Sequence, residues 1–174
     1  MGLLSREQAA LVVVDVQEGF RAYDTFDEVA RACAKLVEGA RIMGVPVIAT
    51  EQYPKGLGHT APEVGLGEQD AIEKTVFSAA RAEGFDLHGR GQAIVCGIET
   101  HVCVSQTVLD LLAGGVEVHV AADAVGSRHR SDYEVGLRRM DDAGAQLGSV
   151  ESVLFELLER AGTPEFKAVQ RLII

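Results

Sequence analysis

Asp15, Lys74 and Cys103 are the residues of this 174-residue chain whose types and surroundings could do chemistry together. Cys103 sits near the end of Ala93-Ile94-Val95-Cys96-Gly97-Ile98-Glu99-Thr100-His101-Val102-Cys103-Val104. That stretch opens as a β-branched apolar run, breaks at Gly97 and re-enters apolar sequence as far as Leu112. It reads as a buried strand, a tight bend and a buried helix. Cys103 falls in the first turn of that helix, where unpaired N–H groups and the helix dipole favour a thiolate. A buried cysteine is equally well a small core residue, and the stretch alone supports both readings evenly. Asp15 ends the apolar run from Ala9 to Val14, and Lys74 lies in a short apolar segment, 71–77. A carboxylate of suitable pKa can take a thiol's proton, although histidine is the commoner partner, and an adjacent ammonium holds the charges that result. Singly, Asp15 also fits a capping carboxylate and Lys74 a surface lysine. Their shared placement near strand ends is what connects them to Cys103.

The elements that must position these residues alternate between two periods. Apolar runs at 9–14, 45–50, 71–77, 92–97, 116–121 and 145–148 read as about six strands, the first buried on both faces. Between them lie helical patterns. Thr25-Phe26-Asp27-Glu28 has capping-box spacing and precedes a stripe of Phe26, Val29, Cys33, Leu36, Val37 and Ala40, stopped by Gly44 and Pro46. Cys33 on that stripe is read as core. A short helix is expected within 78–87. Ser131-Asp132-Tyr133-Glu134 repeats the capping spacing before Tyr133, Leu137 and Met140. Ser149 can cap a helix with Val150, Val153, Leu154, Leu157 and Leu158 inward, and Thr163-Pro164 opens a short terminal helix. The segment 51–67, rich in glycine and proline, is a long loop of the kind that often carries function. Strands alternating with helices predict a three-layer α/β/α doubly wound sheet, mostly parallel and Rossmann-like, with right-handed crossovers. Ligands in such sheets bind beyond the carboxyl ends of the strands, where strand order reverses. If the first and fourth strands are neighbours there, Asp15 and Cys103 flank one crevice.

Composition limits the alternatives. The length suits a single domain over 1–174, and no internal boundary, repeat or linker interrupts it. A net charge of −10 argues against a nucleic-acid partner. No apolar run is long enough for a membrane span, and the N-terminus lacks a basic stretch followed by an apolar signal core. Three cysteines without framework spacing point to free thiols in a reducing compartment, so the expectation is cytoplasmic. Dinucleotide, Walker A, G-x-S-x-G, HExxH and paired C-x-x-C motifs are absent. His59, His88, His101, His119 and His129 are scattered without ligand spacing, so no metal or other cofactor is expected.

Three segments together resemble the isochorismatase-like cysteine hydrolase superfamily: Leu11-Val12-Val13-Val14-Asp15-Val16-Gln17, Glu73-Lys74-Thr75-Val76-Phe77-Ser78-Ala79, and Cys96-Gly97-Ile98-Glu99-Thr100-His101-Val102-Cys103-Val104. The resemblance covers almost the whole chain. Thr50-Glu51-Gln52-Tyr53-Pro54-Lys55-Gly56-Leu57-Gly58 further resembles the isochorismatase-domain-containing subgroup, whose substrates are poorly defined. The resemblance implies a triad in which Cys103 attacks a carbonyl-type carbon, Asp15 carries the proton and Lys74 orients the ionised pair. It also implies a non-proline cis peptide joining Ile98 to Glu99, with the Glu99 and Cys103 N–H groups as donors to an oxyanion. Nicotinamidases of the superfamily carry an Asp-x-His metal site where this chain reads Glu51-Gln52-Tyr53. Isochorismate-cleaving members often lack the cysteine.

The expectation is a metal-independent cysteine hydrolase acting on a small amide-like or related acyl substrate through a covalent Cys103 intermediate. Gln17, Phe20, Gln52, Tyr53 and Phe77 are candidate substrate-binding residues by position, and each also fits packing or loop support. Rivals are an interaction module on a retained hydrolase fold, an isochorismate-type ether hydrolase, and a thiol redox sensor linking Cys96 to Cys103. A homo-oligomer, dimer or tetramer, is expected from the apolar second half and Leu172-Ile173-Ile174, which core packing explains equally well.

Overall fold

The computed structural model of the protein describes residues 2–67 and 70–174. Its strands are β1 Ala9–Val14, β2 Val47–Gln52, β3 Ala71–Lys74, β4 Gln92–Ile98, β5 Glu117–Gly126 and β6 Gln146–Gly148. Its α-helices are α1 Phe26–Met43, α2 Pro54–Leu57, α3 Ser105–Ala113, α4 Arg130–Asp142, α5 Val150–Leu158 and α6 Pro164–Ile173. The sheet runs β3-β2-β1-β4-β5-β6, and every neighbouring pair is parallel. The expected "mostly parallel" sheet is therefore fully parallel among the described residues. β1 and β4 are neighbours, with Val14 paired to Gly97, and the order reverses between them. That boundary is the switch point beyond which sheets of this kind bind ligands.

Alternation along β1 divides the interior into two cores. Ala9, Leu11 and Val13 face α1, α5 and α6, in a core with Phe26, Leu36, Leu154 and Leu157. Val12 and Val14 face α3 and α4, with Val104, Val108, Leu111 and Met140. A strand apolar on both faces belongs in the centre of such a sheet, because only there are both faces covered.

Local signals succeeded unevenly. Gly44 closes α1 in the left-handed conformation, as expected of a C-terminal glycine. Ser149 caps α5 in a reciprocal box with Ser152, and Thr163 caps α6 ahead of Pro164. The other two capping boxes do not form. Thr25 has helical backbone angles and makes no capping bond. α4 starts at Arg130 behind His129, which puts Ser131 inside the first turn. β2 continues through Glu51 and Gln52, both assigned above to the loop. β3 stops at Lys74 rather than reaching Phe77, because the next residues turn to put carbonyl groups on the lysine. The helix expected within 78–87 shrinks to one 3-10 turn, Ala79–Arg81. β5 outruns its predicted end, and its register to β4 shifts between Val95 and Gly97.

Candidate active site

Asp15 is the first residue past β1. Its backbone is left-handed, φ 51°, a region that aspartate tolerates better than most side chains. The bend leaves the carboxylate wholly buried. Oδ1 accepts from Thr50 Oγ1 at 2.7 Å, and Oδ2 accepts from Lys74 Nζ at 2.7 Å. Lys74 Nζ also reaches Gln52 Oε1 at 2.7 Å, the Phe77 carbonyl at 2.9 Å and the Val76 carbonyl at 3.2 Å. An ammonium has three protons, so its bonding capacity is fully used. Thr50 and Gln52 stand two residues apart on β2 and so share a face, one holding the carboxylate and the other the ammonium.

Cys103 lies in a π-helical turn, Thr100–Val104, that runs directly into α3. Its residue is 6% exposed. The thiol is pushed up to about 12, first by burial, then by the Asp15 charge, with Lys74 opposing; a hydrogen bond to Asp15 and the Glu99 charge push it further up. The expected lowered pKa is therefore corrected: burial beside a carboxylate outweighs the helix end. The resting group is a neutral thiol, not a thiolate. Of the three residues expected to act together, Asp15 and Lys74 are bonded at 2.7 Å, and the charges of both act on the Cys103 thiol.

The peptide between Ile98 and Glu99 is cis. The Glu99 carbonyl folds back into the turn that carries Cys103 and accepts from the Val102 and Val104 N–H groups at 3.1 Å each. Thr107 Oγ1 donates to the Cys103 carbonyl at 2.7 Å and accepts from the Ala79 N–H at 2.8 Å, joining the turn to the segment after Lys74.

The candidate substrate-binding residues separate into two groups. Gln17 is wholly buried; its Nε2 donates to the carbonyls of Gln52 at 3.0 Å and Gly58 at 2.6 Å, and its Oε1 accepts from the Gln52 N–H at 2.7 Å. Gln52 spends its amide on Lys74 and on the Thr75 carbonyl at 3.0 Å. Both glutamines are frame rather than lining, because their polar atoms are used by the protein. Phe20 is half-buried, its ring 5.4 Å from that of Tyr23. Tyr53 and Phe77 are 55% and 52% exposed, and Val76, unforeseen, is 42% exposed. A groove of about 410 Å³ runs over Lys74 between Tyr53, Pro54, Thr75, Val76 and Arg81. Cys103 does not line it. Thr50 was also missed, though its two-residue spacing from Gln52 marked it. Nothing in the sequence marked Thr107.

Where nicotinamidases hold metal, Glu51 accepts from the Thr60 N–H at 2.6 Å and Thr60 Oγ1 at 2.7 Å, with His59 Nδ1 at 3.0 Å. Among the described residues no group of three His, Cys, Asp or Glu side chains is placed to hold a metal ion. The redox reading fails on topology: Cys96 faces the α1 side with Cys33, whereas Cys103 belongs to the core on the other face of the sheet.

A fully parallel three-layer sheet with these groups at its switch point defines a hydrolase fold, and comparison narrows it further. The family model described as isochorismatase domain matches residues 9–152, and the chain belongs to that family. Isochorismatase domain-containing protein 2A of Mus musculus is 41% identical over 179 residues, spanning 99% of this chain and 86% of the relative. The structure of MAR1 ribonuclease from Caenorhabditis elegans superposes with a TM-score of 0.91 at 40% identity, covering 99% of this chain and 92% of that one. YcaC of Escherichia coli, described as an octameric hydrolase of unknown specificity, superposes with a TM-score of 0.87 at 25% identity, covering 100% and 92%. No described helix is long and apolar enough to cross a membrane.

Proposed function

We propose that the chain is a cysteine hydrolase acting on a small amide-like substrate, with Cys103 as nucleophile, Asp15 as proton carrier and Lys74 as the group that orients both. The observation that supports it is a buried Asp15–Lys74 pair whose charges act on the Cys103 thiol. A thiol held near 12 needs a base at the moment of attack, and Asp15, whose charge acts on the sulfur, is the carboxylate that can supply it. In the proposed first step Sγ bonds to the carbonyl carbon while its proton passes to Asp15. The oxyanion takes hydrogen bonds from the Glu99 and Cys103 main-chain N–H groups. Collapse expels the amine, which leaves with the proton from Asp15. Water, deprotonated by the same carboxylate, then cleaves the thioester and restores the thiol. The reading is metal-independent because Glu51-Gln52-Tyr53 replaces the Asp-x-His ligands and Glu51 is engaged by Thr60. We further place the protein in the cytoplasm, as one domain over 1–174 and as a homo-oligomer, the last on the precedent of the octameric relative.

The test is a panel of small amides assayed for released amine, with rapid quench and intact-mass detection of the acyl-enzyme. Cys103→Ala is expected to lose at least about 1,000-fold in turnover. Equal turnover by that variant, or an adduct on Cys33 or Cys96, would overturn the proposal. If the intact protein turns over none of the panel, the interaction-module reading replaces it. Ribonuclease activity, from the worm relative's name, is the second reading; a net charge of −10 opposes a polyanionic substrate. Cleavage of a labelled RNA by the intact protein would reverse the order.

A further inference from the structure

We propose that His101 is a positioning residue: with Ser127 and Asp132 it ties the turn that carries Cys103 to the end of β5 and the start of α4, and so fixes where the Cys103 sulfur stands. A part for that sulfur in hydrolysis rests on the reading above; the tie itself does not.

The turn Thr100–Val104 is π-helical, a form that is rare and found mostly at functional sites. Val102 and Val104 offer no polar side chain, and Thr100 Oγ1 is buried with no hydrogen-bond partner among the described residues. Cys103 aside, His101 is left to bond the turn to other elements. Its imidazole faces two of them. Nδ1 lies 3.0 Å from Ser127 Oγ, and Nε2 lies 3.9 Å from Asp132 Oδ2. Ser127 is buried and the other two residues are half-buried, which shields the Ser127 bond from water. A neutral imidazole with its proton on Nε2 accepts from Ser127 and points its N–H toward Asp132, and a protonated one donates toward both. The tie therefore holds in either state.

Strand register explains why these residues meet. Ile98 pairs with Gly126, so Ser127 leaves β5 level with Glu99, two residues before His101. Asp132 follows in the first turn of α4. The same helix lies directly on the cysteine turn: a Cβ at Gly136 would stand 3.0 Å from His101 Cα and N and from the Thr100 carbonyl carbon. Backbone thus supports the turn from α4, and the imidazole fastens it to β5.

Ionisation at Cys103 is what the tie controls. Burial and the Asp15 charge, with a smaller push from Glu99, hold the thiol up against the opposing Lys74 charge. A turn freed to shift toward water loses the two largest of these effects, so its thiol gives up the proton more easily.

Alkylation by iodoacetamide tests this on the full chain. One S–C bond forms, one C–I bond breaks, iodide leaves and the thiol proton passes to solvent. The readout is the pH at which the Cys103 rate levels off, followed by peptide mass spectrometry; that pH reports ionisation rather than access. The wild-type rate should climb about tenfold per pH unit from about pH 7 to about pH 11 without levelling. In His101→Ala the levelling point should fall by at least about one pH unit. Ser127→Ala, which leaves the turn's own sequence intact, should lower it in the same direction. His101→Asn, whose amide reaches the Nδ1 position, should keep the wild-type profile. One profile shared by all four proteins overturns the inference, whatever their thermal stabilities, and so does a shift that His101→Asn retains in full. A lowered levelling point in a protein that hydrolyses no amide supports the inference and removes the hydrolase reading alone. A Cys103 inert at every pH overturns both.

Discussion

At Lys74 the ammonium matters chiefly because it faces a buried carboxylate that has lost its water. Removing one partner of a buried pair costs more than the pair contributes, since the other charge stays desolvated. Lys74→Met is therefore expected to destabilise the fold by about 3–5 kcal/mol in urea unfolding near pH 7; a loss below about 1 kcal/mol would show that water reaches Asp15. Cys103 adds a pH dependence whose sign follows from its burial. The thiol titrates at about 12 when folded, against an ordinary value of 9.0. Its contribution is thus fully present below about pH 9 and is lost as pH rises toward 12, where the unfolded chain has already released the proton. Urea midpoints of the wild type should fall over that interval more steeply than those of Cys103→Ala. Parallel curves would place the free thiol in water. The three candidate side chains were legible as types near strand ends. Their bonding was not: the neutral thiol, Thr50 beneath Asp15 and the saturated Gln17 depend on neighbours from other segments.

Elements deliver these groups through close approaches that single residues permit. Gly97 has φ +123°, and a Cβ there would lie 2.0 Å from the Val14 carbonyl oxygen, at the point where β4 passes β1. Gly144, at the end of α4, has φ +103° with nothing within 4 Å of a Cβ. Alanine at Gly97 meets fixed backbone and is expected to cost more than about 3 kcal/mol, whereas Gly144→Ala carries only conformational strain of about 1 kcal/mol. Thermal unfolding of the two variants side by side checks the contrast; equal losses would mean that β4 shifts freely against β1. The apolar periods predicted strand and helix identities well at 9–14, 92–97 and 150–158, where both faces or one stripe are apolar. They failed at 78–87 and at the start of α4, where short polar segments take their shape from the bonds they make to other elements.

For the whole molecule, two separate cores clamp the sheet, and the switch point falls between β1 and β4, where Asp15 and the turn that carries Cys103 leave adjacent strand ends. Tyr53, Val76 and Phe77 stay exposed beside Lys74, and Val135, Leu147 and Phe155 lie exposed on three further elements. The proposed self-association is expected to appear in light scattering as a mass of at least two 18.5 kDa chains at micromolar concentration. A mass of one chain would remove oligomerisation from the proposed reading.

Taken alone, the order of residues determined the layered fold, the candidate trio and the family, because apolar period and motif spacing are local properties that survive without coordinates. Only the tertiary structure decided that the sheet is fully parallel, that Cys96 and Cys103 face opposite cores, that two of the five candidate lining residues are framework, and that Cys103 rests as a protonated thiol. The physical reason is common to all four. Strand neighbours, burial and the charge around a titrating group are set by residues distant in sequence, and no local window contains them.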